Sequence, residues 1–216
     1  MRSKELVYWS GEKLCLRAVE GLKRRGFKAK YFPKAGEAVE YILREAAAVS
    51  TIGCGGSVSL EEAGVFEAIG KLGKKVMNHN VGDLSPDEKM AVRRGQLTCD
   101  LFLSGLNALT VDGEIVNVDG VGNRVAAMIF GPKEVILLAG RNKIVEGGVA
   151  EAIERIKNKA APMNAARLDA KTPCIVSGKC EDCRTQNNIC RVTTIISLPP
   201  KNSDMRILIV NEDLGL

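Results

Sequence analysis

The chain predicts an α/β fold, with a mostly parallel sheet covered by helices on both faces. Three observations carry that expectation. Apolar runs of strand length recur, most clearly around residues 101–103 and 135–139. Stretches with apolar residues at helical spacing separate the strand candidates through the first 160 residues. With 216 residues, 45% hydrophobic and 26% charged, the chain is long and apolar enough for one large domain over residues 1–216. Strands buried on both faces read as continuous aliphatic runs, which parallel sheets require. Aromatic residues make up only 4%, so the core must be aliphatic.

In chain order, residues 10–25 place Leu14, Ala18, Val19 and Leu22 on one helical face, with Gly26 as the stop. Residues 27–32 form a short strand, and residues 36–47 a second helix through Ala38, Val39, Ile42, Leu43 and Ala46. Residues 48–52 are a compact apolar strand. The following Ser59 and Glu62 have the S-x-x-E spacing of a capping box, opening a helix to about Ile69. Residues 75–79 are a strand, and Ser85-Pro86-Asp87-Glu88 starts a helix ending near Gly95. Strands at 101–104 and 135–139 enclose a helix at 122–130, and a further helix covers 146–160. Residues 161–191 break the alternation and read as a small cysteine-containing excursion. Strand candidates at 192–198 and 206–210 follow.

The net charge of +5 is mild and no run of five Lys or Arg occurs, so nucleic-acid binding has only weak support and is not expected. The basic excess equally suits a small anionic ligand. No apolar run reaches membrane-span length, and Met1-Arg-Ser-Lys does not lead into an apolar leader, so a cytoplasmic protein is expected. Seven cysteines in a reducing compartment argue against a disulfide framework. The sequence leaves open whether the chain forms a homo-oligomer.

Three constellations carry the chemistry. The first is the loop from Gly53 through Cys54, Gly55, Gly56, Ser57 and Val58 to Ser59, at a strand-to-helix junction. Its glycines allow a tight turn with exposed N–H groups, and Ser57 and Ser59 add hydroxyl donors, so an anion is favoured there. The loop is neither a Walker A nor a G-x-G-x-x-G sequence, and a plain structural turn is the competing reading. Cys54 is either a nucleophile or a small buried filler. The second constellation sits between the two strongest strands: Asn107, Asp112, Asn117, Asp119, Asn123 and Arg124 interleaved with four glycines. Polar groups at the ends of buried strands are what a ligand site needs. Asp112 is either a ligand-orienting acid or a residue of the Asp112-Gly113 hairpin turn, and Arg124 either meets the anion or makes a surface ion pair.

The third constellation is Cys174, Cys180, Cys183 and Cys190, four thiols within 17 residues including one C-x-x-C pair. Such spacing fits a metal held by thiolates, as structural zinc or an iron–sulfur cluster, with four free thiols as the alternative. His79, flanked by Asn78 and Asn80 at a strand end, reads as a structural histidine, with an acid–base role facing the site as the alternative, and Arg93-Arg94 reads as a solvated helix face. Neither Ser-His-Asp nor H-E-x-x-H patterning occurs, so hydrolase chemistry has no support.

The chain resembles the LUD-domain family of lactate-utilisation proteins, including the group related to lactate-utilisation protein C. The resemblance rests on residues 53–59, 100–119, Gly122-Asn123-Arg124, the cysteine block from Thr172 to Arg191, and the closing Asn211-Glu-Asp-Leu-Gly215. It implies the fold shared by ribose-phosphate isomerases, glucosamine-phosphate deaminases and CoA transferases, with ligand at the carboxyl ends of the parallel strands. It also implies a place in lactate oxidation beside iron–sulfur partner proteins. The stretch from Gly105 to Gly122 is similar to one in methylthioribose-phosphate isomerases, but Asn107 stands where those enzymes carry an acid–base aspartate. An amide does not shuttle protons.

The leading expectation is therefore a protein that binds a small anionic metabolite and serves lactate, or related 2-hydroxy acid, utilisation. In it Gly53, Gly55, Gly56, Ser57, Ser59, Asn107, Asn117, Asn123 and Arg124 form the binding set, and Asp112 and Asp119 orient the ligand or transfer protons. An enzyme on phosphosugar or CoA-thioester substrates, with Glu114 or Asp119 as nucleophile or base, is the second reading. A non-catalytic ligand-sensing or partner-docking module is the third.

Overall fold

The computed structural model describes residues 2–216. The elements run α1 (Ser3–Arg24), β1 (Lys28–Phe32), α2 (Ala35–Ala47), β2 (Thr51–Cys54), α3 (Val58–Glu62), α4 (Val65–Gly70), β3 (Lys75–Asn78), α5 (Pro86–Gly95), β4 (Leu101–Gly105), β5 (Ala108–Thr110), β6 (Ile115–Asp119), α6 (Asn123–Ile129), β7 (Glu134–Gly140), β8 (Ile144–Val145), α7 (Val149–Arg155), α8 (Ala161–Arg167), α9 (Cys174–Ser177), β9 (Val192–Ile196) and β10 (Asp204–Val210).

Six strands form one parallel sheet in the order β1-β10-β7-β4-β2-β3. The α/β expectation, with its mostly parallel sheet flanked by helices, is met. Residues alternate between the two faces, as the pleat demands. On one face Phe102, Val135, Leu137, Ile207 and Ile209 pack with Cys15, Ala18, Val19 and Leu22 of α1 and with Ala127 and Met128 of α6. On the other, Leu101, Leu103, Ile136, Leu138 and Leu208 pack beneath α2, α3 and α4. Phe102 is fully buried; truncating it to Ala would cost roughly 3–5 kcal/mol.

The capping box expected from Ser59 and Glu62 is not formed. Ser57 is the N-cap, its Oγ accepting from the Leu60 amide at 3.3 Å, and Gly64 at φ 76° breaks the helix into α3 and α4. Ser59 Oγ donates instead to the Leu214 carbonyl at 3.2 Å, and Glu62 accepts from the Gly215 amide at 2.6 Å. These two side chains tie the closing segment over the sheet end. The box at Ser85 and Glu88 does form.

A second, four-stranded sheet, β8-β5-β6-β9, was not expected. Its β5 and β6 make the hairpin whose turn places Gly113 at φ 95°. Its strands are two to five residues long, too short for a period to show in sequence. The 146–160 helix does not stop where expected: α7 runs through a π-helical turn at Ile156–Ala160 into α8. The irregular cysteine-containing stretch therefore begins near Leu168 rather than at residue 161.

Candidate functional site

Connections leave β2 toward β3, and leave β4 in the opposite sense toward the second sheet and β7. Such a reversal opens a crevice at the carboxyl ends of neighbouring parallel strands. The crevice here is a cavity of about 290 Å³. It continues past His79, Arg93 and Arg167 into an outer hollow of about 550 Å³.

Six residues expected from sequence line this cavity: Gly56, Ser57, Asn107, Asp119, Asn123 and Arg124. The early glycine turn and the mid-chain amides and acids thus meet in space. Their closeness needs small residues. A Cβ on Gly105 would lie 2.6 Å from Ser57 Oγ, and one on Gly55 would lie 2.8 Å from Ser104 Oγ.

The geometry assigns these residues different jobs. Arg124 is deeply buried, and all five of its N–H donors are used within the protein. Nη1 donates to Asn117 Oδ1 at 3.0 Å and the Gly105 carbonyl at 3.3 Å. Nη2 donates to Asn107 Oδ1 at 2.9 Å and the Val118 carbonyl at 3.0 Å. Nε faces Asp119 Oδ2 at 3.2 Å. A guanidinium so engaged holds the cavity wall together and has no donor left for an anion. Burial lowers its affinity for its proton, while Asp119 raises it. Asp119 is equally committed, its Oδ1 accepting from the amides of Val121 at 3.0 Å and Gly122 at 2.7 Å. Asn107 and Asn117 reach across to one another's backbones, Asn107 N donating to Asn117 Oδ1 and Val118 N to Asn107 Oδ1.

Other expected residues stand outside the cavity. Gly53 lies within β2, where a Cβ would meet Cys99 Sγ at 2.8 Å. Asn117 is wholly buried behind the wall, and its Nδ2 has no partner. Ser59 is engaged by the Leu214 carbonyl and by Lys143. Asp112 is on the outer turn of the β5–β6 hairpin, its side chain 70% exposed and 3.5 Å from Arg24. It lines a separate surface depression with α1, so the catalytic role expected of it is corrected to the turn-building one. Glu114 is held by Arg25 and Thr110 beside the same turn, which removes it as a nucleophile for the cavity. Cys54 is fully buried, and burial pushes its thiol up to about 12, so it is a filler.

Four cavity residues were missed or set aside in sequence. Lys143, in the turn after β7, is 5% exposed; its Nζ donates to Ser59 Oγ at 2.6 Å and the Leu106 carbonyl at 3.0 Å. Burial, then Arg155 and Arg124, push it down to about 7, against the pull of Glu62. His79 lines the cavity with Nδ1 3.1 Å from Gln96 Nε2, whose two hydrogens go to the carbonyls of Cys54 and Met77. Burial and then Arg93 lower the His79 pKa, with Asp119 opposing. Arg93 is not a solvated face; it lines the cavity, and its Nε is buried without a partner. Arg167 reaches the cavity from α8, bonded only to Asn164. The strand-end rule applied to the Arg141-Asn142-Lys143 turn would have found the lysine, since that turn directly follows buried β7.

The α3 and α6 helices have five and seven residues, so their dipoles add little. The positive side chains carry the electrostatics. Among the described residues, no ion pair joins Arg93, Arg167 or Lys143 to a carboxylate; Asp119, the one acidic side chain lining the inner cavity, is neutralised by Arg124, and Glu61 lines the outer hollow.

The four clustered cysteines line a neighbouring hollow of about 390 Å³, beside Ile156 and Lys157. Val118 and Ile189 form a wall common to both spaces. Desolvation of the sulfur at the wall of the hollow, although the residue as a whole is exposed, and then the thiols of Cys180, Cys174 and Cys183 push Cys190 up to about 11. All four are free thiols, and among the described residues no three His, Cys, Asp or Glu side chains are placed to share one ion. No helix among the described residues is long and apolar enough to cross a membrane.

Comparison with known proteins bears on the fold and the family. A DUF162 family protein from Deinococcus radiodurans superposes with a TM-score of 0.52 at 17% identity, covering 93% of this chain and 98% of that one. At that identity it speaks for the fold alone. The eIF2B beta structure from Chaetomium thermophilum matches with a TM-score of 0.32 and 14% identity, over 63% of this chain and 44% of that one. No curated protein matches the chain. The model of the LUD domain matches residues 15–210, and by that match the chain belongs to the LUD-domain family.

Proposed function

We propose that this protein binds a small anionic metabolite, a 2-hydroxy or 2-oxo acid, in the strand-end cavity and takes part in lactate utilisation. The observation that carries the reading is the charge of the cavity wall: Arg93 and Arg167 have no carboxylate partner there, and Asp119 is cancelled by Arg124. Uncompensated cations in a partly enclosed polar space favour an anion more strongly than they would in open water. Gly56 and Ser57 let the ligand approach the backbone, and His79 and Asn123 offer neutral donors beside it. Oxidation of a 2-hydroxy acid releases two electrons, and in this reading an iron–sulfur partner protein receives them.

The competing enzyme reading has less to stand on. Acyl transfer needs a carboxylate nucleophile, but both Asp119 oxygens are occupied and Glu114 lies at the distant hairpin. Sugar-phosphate isomerisation needs a carboxylate where Asn107 stands. Thermal shift and calorimetry with lactate, pyruvate, ribose 5-phosphate and acetyl-CoA test the assignment. Stabilisation by the two small acids, weakened in Arg93→Ala, is expected; stabilisation by acetyl-CoA alone overturns it. A deletion strain that grows normally on lactate would remove the pathway assignment.

For the cysteine hollow we propose a thiolate-held metal, zinc or an iron–sulfur cluster. Four thiols facing one space support it, because a bound cation would reverse the pressure that keeps Cys190 protonated. The sulfurs must turn inward together to hold an ion. Metal analysis and an absorption spectrum of anaerobically purified protein decide between zinc, a cluster and neither.

A further inference from the structure

Lys143 is a buried amine at the cavity wall. A lysine buried for structural reasons pairs with a carboxylate or extends its ammonium to water. Lys143 does neither. It is 5% exposed, and its two hydrogen-bond partners, Ser59 Oγ and the Leu106 carbonyl, are both uncharged. Its neighbours with the strongest influence are cations. Arg155 is held by the carbonyls of Asn107, Asn142 and Leu216, and Arg124 is the wall clamp described above. Glu62 pulls the other way, but its carboxylate accepts the Gly215 amide and forms no ion pair with Lys143. Two of three Nζ positions are fixed by the protein, and the residue lines the cavity. The amine is thus held still and aimed, with its burial and two guanidiniums favouring the unprotonated, nucleophilic form.

We infer that Lys143 is a nucleophilic amine that captures the carbonyl carbon of a 2-oxo acid bound in the strand-end cavity. The inference rests on the reading of that cavity as a small-anion site, in which Arg93 and Arg167 receive the carboxylate. The Nζ lone pair attacks the ketone carbon, a C–N bond forms, and the carbonyl π pair moves to oxygen. One proton passes from nitrogen to that oxygen and a second, the one the ammonium gave up before the attack, returns from solvent, so that the oxygen leaves as water and the iminium remains. Overall one ammonium and one ketone give one iminium and one water, without oxidant or reductant. A 2-hydroxy acid has no carbonyl and binds without reacting, so the site would distinguish the two partners of one redox couple.

The test is intact-mass analysis of the full chain incubated with pyruvate and cyanoborohydride, followed by peptide mapping. The expected product is heavier by one pyruvic acid less one oxygen atom and maps to Lys143, whereas lactate gives no adduct. With Lys143 at about 7, the adduct rate in the wild-type protein rises to a plateau above neutral pH. At pH 7 its free-amine fraction exceeds that of an ordinary lysine by about a thousandfold, which sets it apart from surface labelling. Lys143→Met loses the adduct while keeping a cooperative unfolding transition, which shows that the variant is folded. An adduct that maps to surface lysines, or persists in Lys143→Met, overturns the inference. So does pyruvate binding without any adduct, and that result leaves the anion reading intact. Absence of binding by any small carboxylate defeats the anion reading first and this inference with it.

Discussion

The strand-end cavity and the cysteine hollow are neighbours separated by a shared wall of Val118 and Ile189, yet they are built in opposite ways. Around the cavity, polar side chains are buried and committed: Arg124 spends five donors on five protein acceptors, and Gln96 ties the ends of β2 and β3 to His79. Around the hollow, Cys190 is exposed and the backbone between Leu168 and Arg191 is mostly irregular. Rigid parallel strands arrive at the first site, while the other is bordered by β6 and β9 of the small second sheet and by the α7–α8 helix. A site assembled at strand ends is organised before its ligand arrives; a loop-borne site is organised by what it binds.

Breaking the clamp tests the first half of that comparison and carries the largest expected effect. Arg124→Met leaves Asp119 as a buried, uncompensated charge and strips donors from Asn107, Asn117 and two carbonyls. A loss of roughly 3–5 kcal/mol in urea-denaturation stability is expected. Arg124→Lys should recover little of it, because an ammonium cannot span five acceptors. A near-wild-type midpoint for Arg124→Met would show that the wall is not held as described.

Lys143 sharpens the comparison through pH. Its pKa falls from 10.5 unfolded to about 7 folded. Between those values the unfolded chain binds more protons at this site, so its contribution to stability rises with pH across the window. Below about pH 7 the burial penalty is present in full. Relative to wild type, Lys143→Met should therefore gain most at acid pH, and the gain should shrink as pH climbs toward 10. A difference in stability between the two proteins that is flat from pH 6 to 10 would contradict the buried, carboxylate-free placement.

At the cysteine hollow the expected effect is local. Cys180→Ser with Cys183→Ser should abolish bound zinc or iron and increase hydrogen exchange over residues 168–191. The global unfolding midpoint should hardly move, because these residues contribute no strand to the six-stranded sheet. A large fall in global stability would mean that the metal organises the second sheet as well, through β9.

What could be read in the amino acids follows the same division. Strands β4, β7 and β10 are buried on both faces and so announce themselves as aliphatic runs. Gly56, Ser57 and Asn107 could be placed at the site because they lie at strand ends. Lys143 could not be singled out by type or spacing: Arg141-Asn142-Lys143 looks like a solvated turn, and its burial is created by Ser59 and Leu106, distant in sequence. Arg93 was hidden similarly, on a helix with no buried residue. Ser59 and Glu62 misled because a capping-box pattern is local, whereas their partners Leu214 and Gly215 are not. Asp112 misled because an acid between buried strands looks the same whether it faces the cavity or the far turn.

The smallest expected effect belongs to that acid, and it separates the hairpin from the cavity. Asp112 has only an exposed contact with Arg24, so Asp112→Ala should cost under about 1 kcal/mol and leave binding of small acids unchanged. Its neighbour gives the contrast. Gly113 sits at φ 95°, and a Cβ there would lie 2.6 Å from the Gly21 carbonyl carbon in α1. Gly113→Ala should therefore destabilise more than Asp112→Ala while also sparing ligand affinity, because the turn docks on α1 and not on the cavity. Loss of pyruvate or lactate affinity in Asp112→Ala, with stability intact, would mean that the hairpin communicates with the strand-end site and that the two regions cannot be treated separately.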